Sequence, residues 1–161
     1  MHRVGTVALV AAVLVMGACG GPDNPRLTKA QYIARGSAIC SKSSQRIEGA
    51  AQAAFTTPGE IPSADLVSEF AVDTVAPTIE SEIERLRELR PPEIDEERIE
   101  DLLQAGSDGV DRVREDPTVL LSSADDGFGR YRELASAYGL QNCGGASDKT
   151  RDAIEGINRE G

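Results

Sequence analysis

The chain has 161 residues, a length typical of one domain. Its 27 acidic and 17 basic residues give a net charge of −10, so it lacks the basic surface that nucleic-acid-binding proteins offer to phosphates. Tryptophan is absent and histidine occurs once, so the chain is poorly supplied with groups that stack on bases or sugars and with imidazole for catalysis.

The N-terminus is typical of an exported protein. Residues 1–18 combine a positive charge at Arg3, an apolar run over residues 4–15, and small residues just before Cys19. A membrane-spanning helix needs about 20 apolar residues, so this shorter run predicts a signal peptide.

Gly17, Ala18 and Cys19 resemble the lipobox of bacterial prolipoproteins, although Met16 stands where that family usually has leucine. The resemblance implies cleavage after Ala18 and attachment of acyl chains, such as palmitate, to Cys19. Two acyl chains make a durable anchor, so we expect a lipid-anchored protein on the extracytoplasmic face of the cell membrane. The alternative is an ordinary cleaved signal peptide, in which Cys19 has no special role.

Signal cleavage would also remove His2, the single histidine. A chain without imidazole has no Ser-His-Asp or Cys-His catalysis and no histidine-ligated metal site. The sequence also lacks the GxSxG, GxGxxG and P-loop motifs. We therefore expect no enzyme, no cofactor and no metal site, and we interpret the acidic segment 93–101 as a solvated helix face.

Cys40 and Cys143 are the two cysteines that remain beside the lipidation candidate. An even pair in an exported chain indicates a structural disulfide. Closing a loop of this length contributes about 4–5 kcal/mol in the chain-entropy account. The alternative is a redox pair, but the wide spacing of the two cysteines and the absence of a CxxC motif argue against it.

The elements begin after a lipidated tether at residues 19–26, which is rich in glycine and proline. Thr28 and Gln31 fit a capping box, and apolar residues at helical spacing predict a first helix that ends before residues 56–62. Ser63 is placed to cap a second helix, whose apolar stripe ends at Leu89. Pro77 lies inside that stripe and either kinks the helix or divides it.

A third helix is predicted from a cap at Asp95, through the clearest apolar stripe of the chain, to a stop at residues 116–117. The fourth helix would hold Leu120 through Tyr138 and end at Gly139 in the left-handed conformation. Residues 144–161 are polar and flanked by glycine, which predicts a mobile tail. The folded domain is therefore expected over residues 27–143.

Four amphipathic helices with short connections, and no convincing strand, predict an all-α fold. We expect a small helical bundle stapled by the disulfide between Cys40 and Cys143. The glycines at positions 106, 109, 127 and 129 favour close helix packing or helix ends. Alternatively, they loosen the bundle so that it opens for an apolar ligand, with Phe128, Tyr131 and Tyr138 along a possible groove.

Three segments also resemble a group of small, exported, helical proteins found mainly in high-GC Gram-positive bacteria. They are residues 27–40, residues 89–92 and residues 137–143. The resemblance implies an exported, disulfide-bonded domain and carries no activity. Together these observations predict a non-enzymatic interaction module with a protein partner in the cell envelope. The alternative is a binding protein for an apolar or cationic small ligand.

Overall fold

A computed structural model describes residues 25–55, 62–122 and 126–145. This part of the chain is helical and contains no strand. Its α-helices are α1 (Lys29–Ala54), α2 (Ala64–Phe70), α3 (Ala76–Glu88), α4 (Glu96–Glu115) and α5 (Gly129–Tyr138). A π-helical turn (Ala71–Val75) joins α2 to α3 without a break, so the bundle consists of four rods. The predicted all-α bundle is confirmed.

The second rod neither stops nor divides at Pro77. The Ala76 N–H donates to the carbonyl of Ala71, five residues back, which widens the backbone just before the proline. Proline lacks an N–H, and its ring crowds the carbonyl four residues earlier, so a regular helix interior does not accommodate it. The π turn absorbs this conflict and leaves Pro77 in the first turn of α3.

The predicted cap at the start of α1 is confirmed in detail. The Thr28 hydroxyl accepts from the Gln31 N–H at 3.3 Å, and the Gln31 side chain accepts from the Thr28 N–H at 2.9 Å. Ser63 caps α2 through the Leu66 N–H at 3.3 Å. Gly139 ends α5 at φ 107°, the left-handed conformation that favours glycine.

One predicted cap and one predicted boundary are wrong. α4 begins directly after Asp95, as predicted, but the Asp95 side chain does not cap the helix and instead accepts a hydrogen bond from the Tyr138 hydroxyl at 3.0 Å. The fourth predicted helix begins at Gly129 and not near Leu120, which lies in a separate 3₁₀ helix (Pro117–Leu121). Gly127, at φ 87°, turns the chain between these two elements.

The glycines of α4 allow neighbouring elements to approach closely, as the preferred interpretation predicted. A Cβ added at Gly106 would lie 2.9 Å from the Ile83 Cδ1 atom of α3. A Cβ at Gly109 would lie 2.6 Å from the Phe128 ring and 2.7 Å from the carbonyl oxygen of Gly127. Both contacts are shorter than packed atoms tolerate, so a methyl group at Gly106 would displace the Ile83 side chain and one at Gly109 would collide with backbone.

The folded part extends slightly past both predicted limits. Gly144 and Gly145, assigned to the tail by the sequence, are buried. Arg26, assigned to the tether, forms an ion pair with Glu96 and donates to the Pro91 carbonyl at 3.2 Å. Residues 1–24 and 146–161 lie outside the described part of the chain. No described helix is both long enough and apolar enough to cross a membrane.

Candidate functional site

The Cys40–Cys143 disulfide lies inside the bundle and confirms the predicted staple. Its sulfur atoms are 2.07 Å apart, and the two Cα atoms are 4.5 Å apart. It joins the middle of α1 to the segment that follows α5. Cys40 is fully buried, whereas Cys143 keeps 6% of its surface exposed. Both half-cystines therefore belong to the core, and Cys143 is the less deeply buried of the two.

Serine side chains on α1 hold the segment that carries Cys143. The Ser37 hydroxyl accepts from the Gln141 N–H at 3.1 Å, and the Ser41 hydroxyl accepts from the Asn142 side chain at 3.1 Å. Ser44 donates to the Asn142 carbonyl at 2.8 Å. These serines follow at spacings of four and three, so they share a helix face.

Glu82, on α3, lies in the core beside the disulfide. Its exposed surface is 0%, and one of its carboxyl oxygens lies within 4.8 Å of both sulfur atoms. The Oε1 atom accepts hydrogen bonds from the Tyr131 hydroxyl at 2.8 Å and from the Gly144 N–H at 3.1 Å. The Oε2 atom has no hydrogen-bond partner among the described residues. A carboxyl group therefore faces the disulfide with one oxygen unused.

Burial raises the pKa of Glu82 from its ordinary value of 4.5 to about 7, because the interior disfavours the charged form. The Gly144 N–H and the Tyr131 and Ser43 hydroxyls act in the opposite direction, since they favour the carboxylate. The causes of this shift are therefore burial and neutral hydrogen-bonding groups. The raised pKa of Glu82 thus lies near neutral pH, and its carboxyl group is within 4.8 Å of the two sulfurs.

The tyrosines around this group retain their protons. Burial raises the pKa of Tyr131 well above its ordinary value, and the neighbouring Glu82 raises it further. Burial also raises the pKa of Tyr32 to about 12, and its hydroxyl donates to the Leu86 carbonyl at 3.3 Å. Tyr131 is therefore a fixed hydrogen-bond donor to Glu82 across the pH range in which the carboxyl group titrates.

Sequence reasoning missed Glu82, although a signal was present. The residue stands between Ile79 and Leu86 and directly before Ile83, on the apolar stripe of its helix. A charged residue on a buried stripe needs partners or a shifted pKa. A search for charged residues at core positions would have singled out Glu82, but the disulfide beside it depends on the tertiary fold.

The residues of the possible groove lie in the core. Phe128, Tyr131 and Tyr138 have exposed fractions of 1%, 0% and 3%. Phe128 covers Gly109, Tyr131 binds Glu82, and Tyr138 packs edge-on against a tyrosine of α1 at 5.8 Å between ring centres. The structure does not join them into an open groove. Cys19, the predicted lipidation site, lies outside the described residues.

A shallow cleft of about 120 Å³ lies on the surface between α3 and α4. Arg114 lines it, and its guanidinium donates to both carboxylate oxygens of Glu80 at 2.6 and 3.2 Å. The cleft carries charges of both signs, which does not define one class of ligand. Its lining residues are Glu80, Ile83, Glu84, Arg87, Ser107, Val110, Asp111 and Arg114.

Comparison with protein-family models, with curated proteins and with solved structures finds no match to this chain.

Proposed function

We propose that this protein is an extracytoplasmic lipoprotein, anchored to the cell membrane through Cys19, that serves as a non-enzymatic interaction module of the cell envelope. The observation that carries the proposal is the buried Cys40–Cys143 disulfide. Structural disulfides persist in oxidising compartments outside the cytoplasm, which agrees with the signal-like N-terminus.

The packing of the bundle supports an interaction role. The described core is filled by side chains, and the glycines of α4 are in contact with neighbouring elements. A stapled domain of this kind presents a fixed outer surface. On that surface, Leu66, Val72 and Leu121 are exposed by 36%, 41% and 39%. They belong to α2, the π turn and the 3₁₀ helix, which contact one another.

The anchor is tested with labelled palmitate in cells that express the full chain. Cys19→Ser should abolish acyl labelling and release the protein from the membrane fraction. The matched control is Cys40→Ser with Cys143→Ser, which removes two cysteines and should keep both the label and the membrane association. Membrane-bound, labelled protein in the Cys19→Ser variant would contradict the proposed anchor.

The interaction role is tested by crosslinking in intact cells, followed by purification of the lipoprotein. Leu66→Asp with Leu121→Asp should remove a specific crosslinked protein. Ile94→Asp is the control, because Ile94 is 93% exposed in a different region of the surface. Equal capture by both variants would exclude this surface, and a complete lack of crosslinked proteins would count against an interaction module.

The alternative function, a binding protein for an apolar or cationic small ligand, is supported less well. The described core is filled, and the cleft between α3 and α4 has mixed charge. A thermal-shift screen with envelope lipids and polyamines tests it, because a ligand that binds the folded state raises the apparent stability.

A further inference from the structure

We propose that Cys40 and Cys143 form a thiol–disulfide exchange centre in which Glu82 is the proton-transfer residue. Its carboxylic acid donates a proton to the Cys40 sulfur when the disulfide is reduced, and its carboxylate removes that proton when the disulfide forms. This proposal is independent of the lipid anchor and of any envelope partner.

The geometry of the three side chains supports this role. A carboxyl oxygen of Glu82 lies within 4.8 Å of both sulfur atoms, so a small approach brings it into hydrogen-bond distance of a thiolate. One of its oxygens, Oε2, has no hydrogen-bond partner among the described residues and is free to exchange a proton. An unpaired polar atom in a core is costly, and a role in chemistry explains why it is kept.

The two cysteines are buried to different degrees, which gives the exchange a direction. Cys40 is fully buried within α1, whereas Cys143, also in the core, keeps 6% of its surface exposed and follows the segment held by the serines. We assign the attack of an external thiolate to the sulfur of Cys143, and Cys40 becomes the leaving group. A thiolate in this apolar interior is unfavourable without a proton donor, and Glu82 is the acid that lies within 4.8 Å of it.

The reaction balances with a dithiol as the reductant. The first thiolate bonds to the Cys143 sulfur, the Cys40–Cys143 bond breaks, and the Glu82 proton passes to Cys40. The second thiol of the reductant, as its thiolate, then attacks the reductant's other sulfur, which is bonded to Cys143 in the mixed disulfide. The Cys143 thiolate leaves and takes a proton from water. The reductant loses two electrons and becomes a disulfide, and the cysteine pair gains them. Formation of the disulfide by a disulfide oxidant is the reverse.

The surroundings of Glu82 make its carboxyl group the titrating member of the centre near neutral pH. From α1 it faces the neutral Ser43 hydroxyl, and from α5 the Tyr131 hydroxyl, which stays protonated. From α4, the residue packed at Tyr131 is Gly106, which carries no charge. On the C-terminal side Arg132 is paired with Asp126, and the Arg132 guanidinium contacts the Gly144 carbonyl at 3.5 Å.

The test measures how fast dithiothreitol reduces the oxidised full chain carrying Cys19→Ser. In this variant, the protein thiols that appear on reduction come from the Cys40–Cys143 disulfide alone. The rate constant, divided by the thiolate concentration, is followed from about pH 5 to about pH 9 with a metal chelator present. With Glu82 in place, this corrected rate constant should be constant below about pH 7 and should fall roughly tenfold per pH unit at higher pH. In Glu82→Gln the rate at acidic pH should fall by about 100-fold and lose this dependence.

A second variant separates proton transfer from a structural role of the side chain. Tyr131→Phe keeps the carboxyl group but removes a hydrogen bond that favours its charged form, so the break in the pH profile should move to higher pH. Identical profiles for Glu82→Gln and the parent would overturn the proposal. So would an unmoved break in Tyr131→Phe, or a rate that does not rise with reductant concentration, because reduction would then require prior unfolding.

Discussion

Glu80 and Glu82 lie two residues apart on α3, one on the surface of the bundle and one in its interior. Glu80 binds Arg114 through both oxygens, and that hydrogen bonding lowers its pKa. Glu82 has only neutral donors, and burial raises its pKa to about 7. The two carboxyl groups are chemically identical and lie on the same helix, so their exposure to water and their neighbouring charges account for the difference in pKa.

This comparison shows where the stability and the chemistry of the bundle reside. The Arg114–Glu80 pair has both side chains nearly half exposed, so solvent screens it and its contribution is small. Glu82 cannot be screened by solvent, so every change in its protonation state acts on the core and on the adjacent disulfide.

Removal of the disulfide should have the largest effect on the interior. Cys40→Ser with Cys143→Ser frees a loop with a sequence separation of 103 and should lower the free energy of unfolding by about 4–5 kcal/mol. It should also release Gly144 from Glu82 and admit water to the carboxyl group. Denaturant unfolding of the full chain measures the loss, and a change below about 1 kcal/mol would contradict the account.

Glu82 should make the folded state less stable as the pH rises. The unfolded chain releases this proton near pH 4.5, whereas the folded chain keeps it to about pH 7, so the folded state binds more protons between these values. Stability should therefore fall by about 3 kcal/mol across that window and remain level above it. Glu82→Gln should remove this part of the pH dependence. Equal pH dependence in the parent and the variant would contradict the assignment.

An added methyl group should be costly in the interior and favourable at the surface. In Gly109→Ala the new Cβ meets the Phe128 ring and the Gly127 carbonyl, so we expect a loss of about 1–3 kcal/mol. Gly49→Ala, on α1, meets nothing within 4 Å and should gain up to about 1 kcal/mol from helix propensity. Thermal unfolding of both variants tests this, and equal effects would show that α4 is not closely packed.

The surface pair should give the smallest effect. Arg114→Ala should cost about 0.5 kcal/mol or less, and added salt should reduce the difference further, because both side chains lie partly in water. Unfolding at low and high ionic strength measures this. A loss of several kcal/mol would mean that the pair is structurally important and would remove the contrast with Glu82.

Much of the fold could be predicted from the sequence, because its signals are local. The Thr28 capping box, the Gly139 terminator and the apolar stripe of α4 each act within a few residues. The disulfide followed from an even pair of cysteines in a chain with a signal-like start. The boundary near Gly127 was missed, since it depends on a left-handed turn that the apolar spacing conceals.

The site could not be predicted in the same way. Glu82 on an apolar stripe indicates a buried acid, but nothing local shows that its neighbours are Cys40 and Cys143. Those contacts form only when α1, α3 and the segment after α5 pack together. Asp95 illustrates the same limit: its position predicts a helix cap, whereas the tertiary fold gives its carboxylate to Tyr138.

The most direct test is a carbon-13 NMR titration of the side-chain carboxyl groups in the oxidised protein, with Glu80 and Glu82 assigned through Glu80→Gln and Glu82→Gln. A pKa near 7 for Glu82, with that of Glu80 below its ordinary value of 4.5, would confirm that the interior holds a titrating acid against the disulfide. A pKa near 4.5 for Glu82 would show that water reaches this carboxyl group, and would contradict both the buried site and the proton transfer proposed for it.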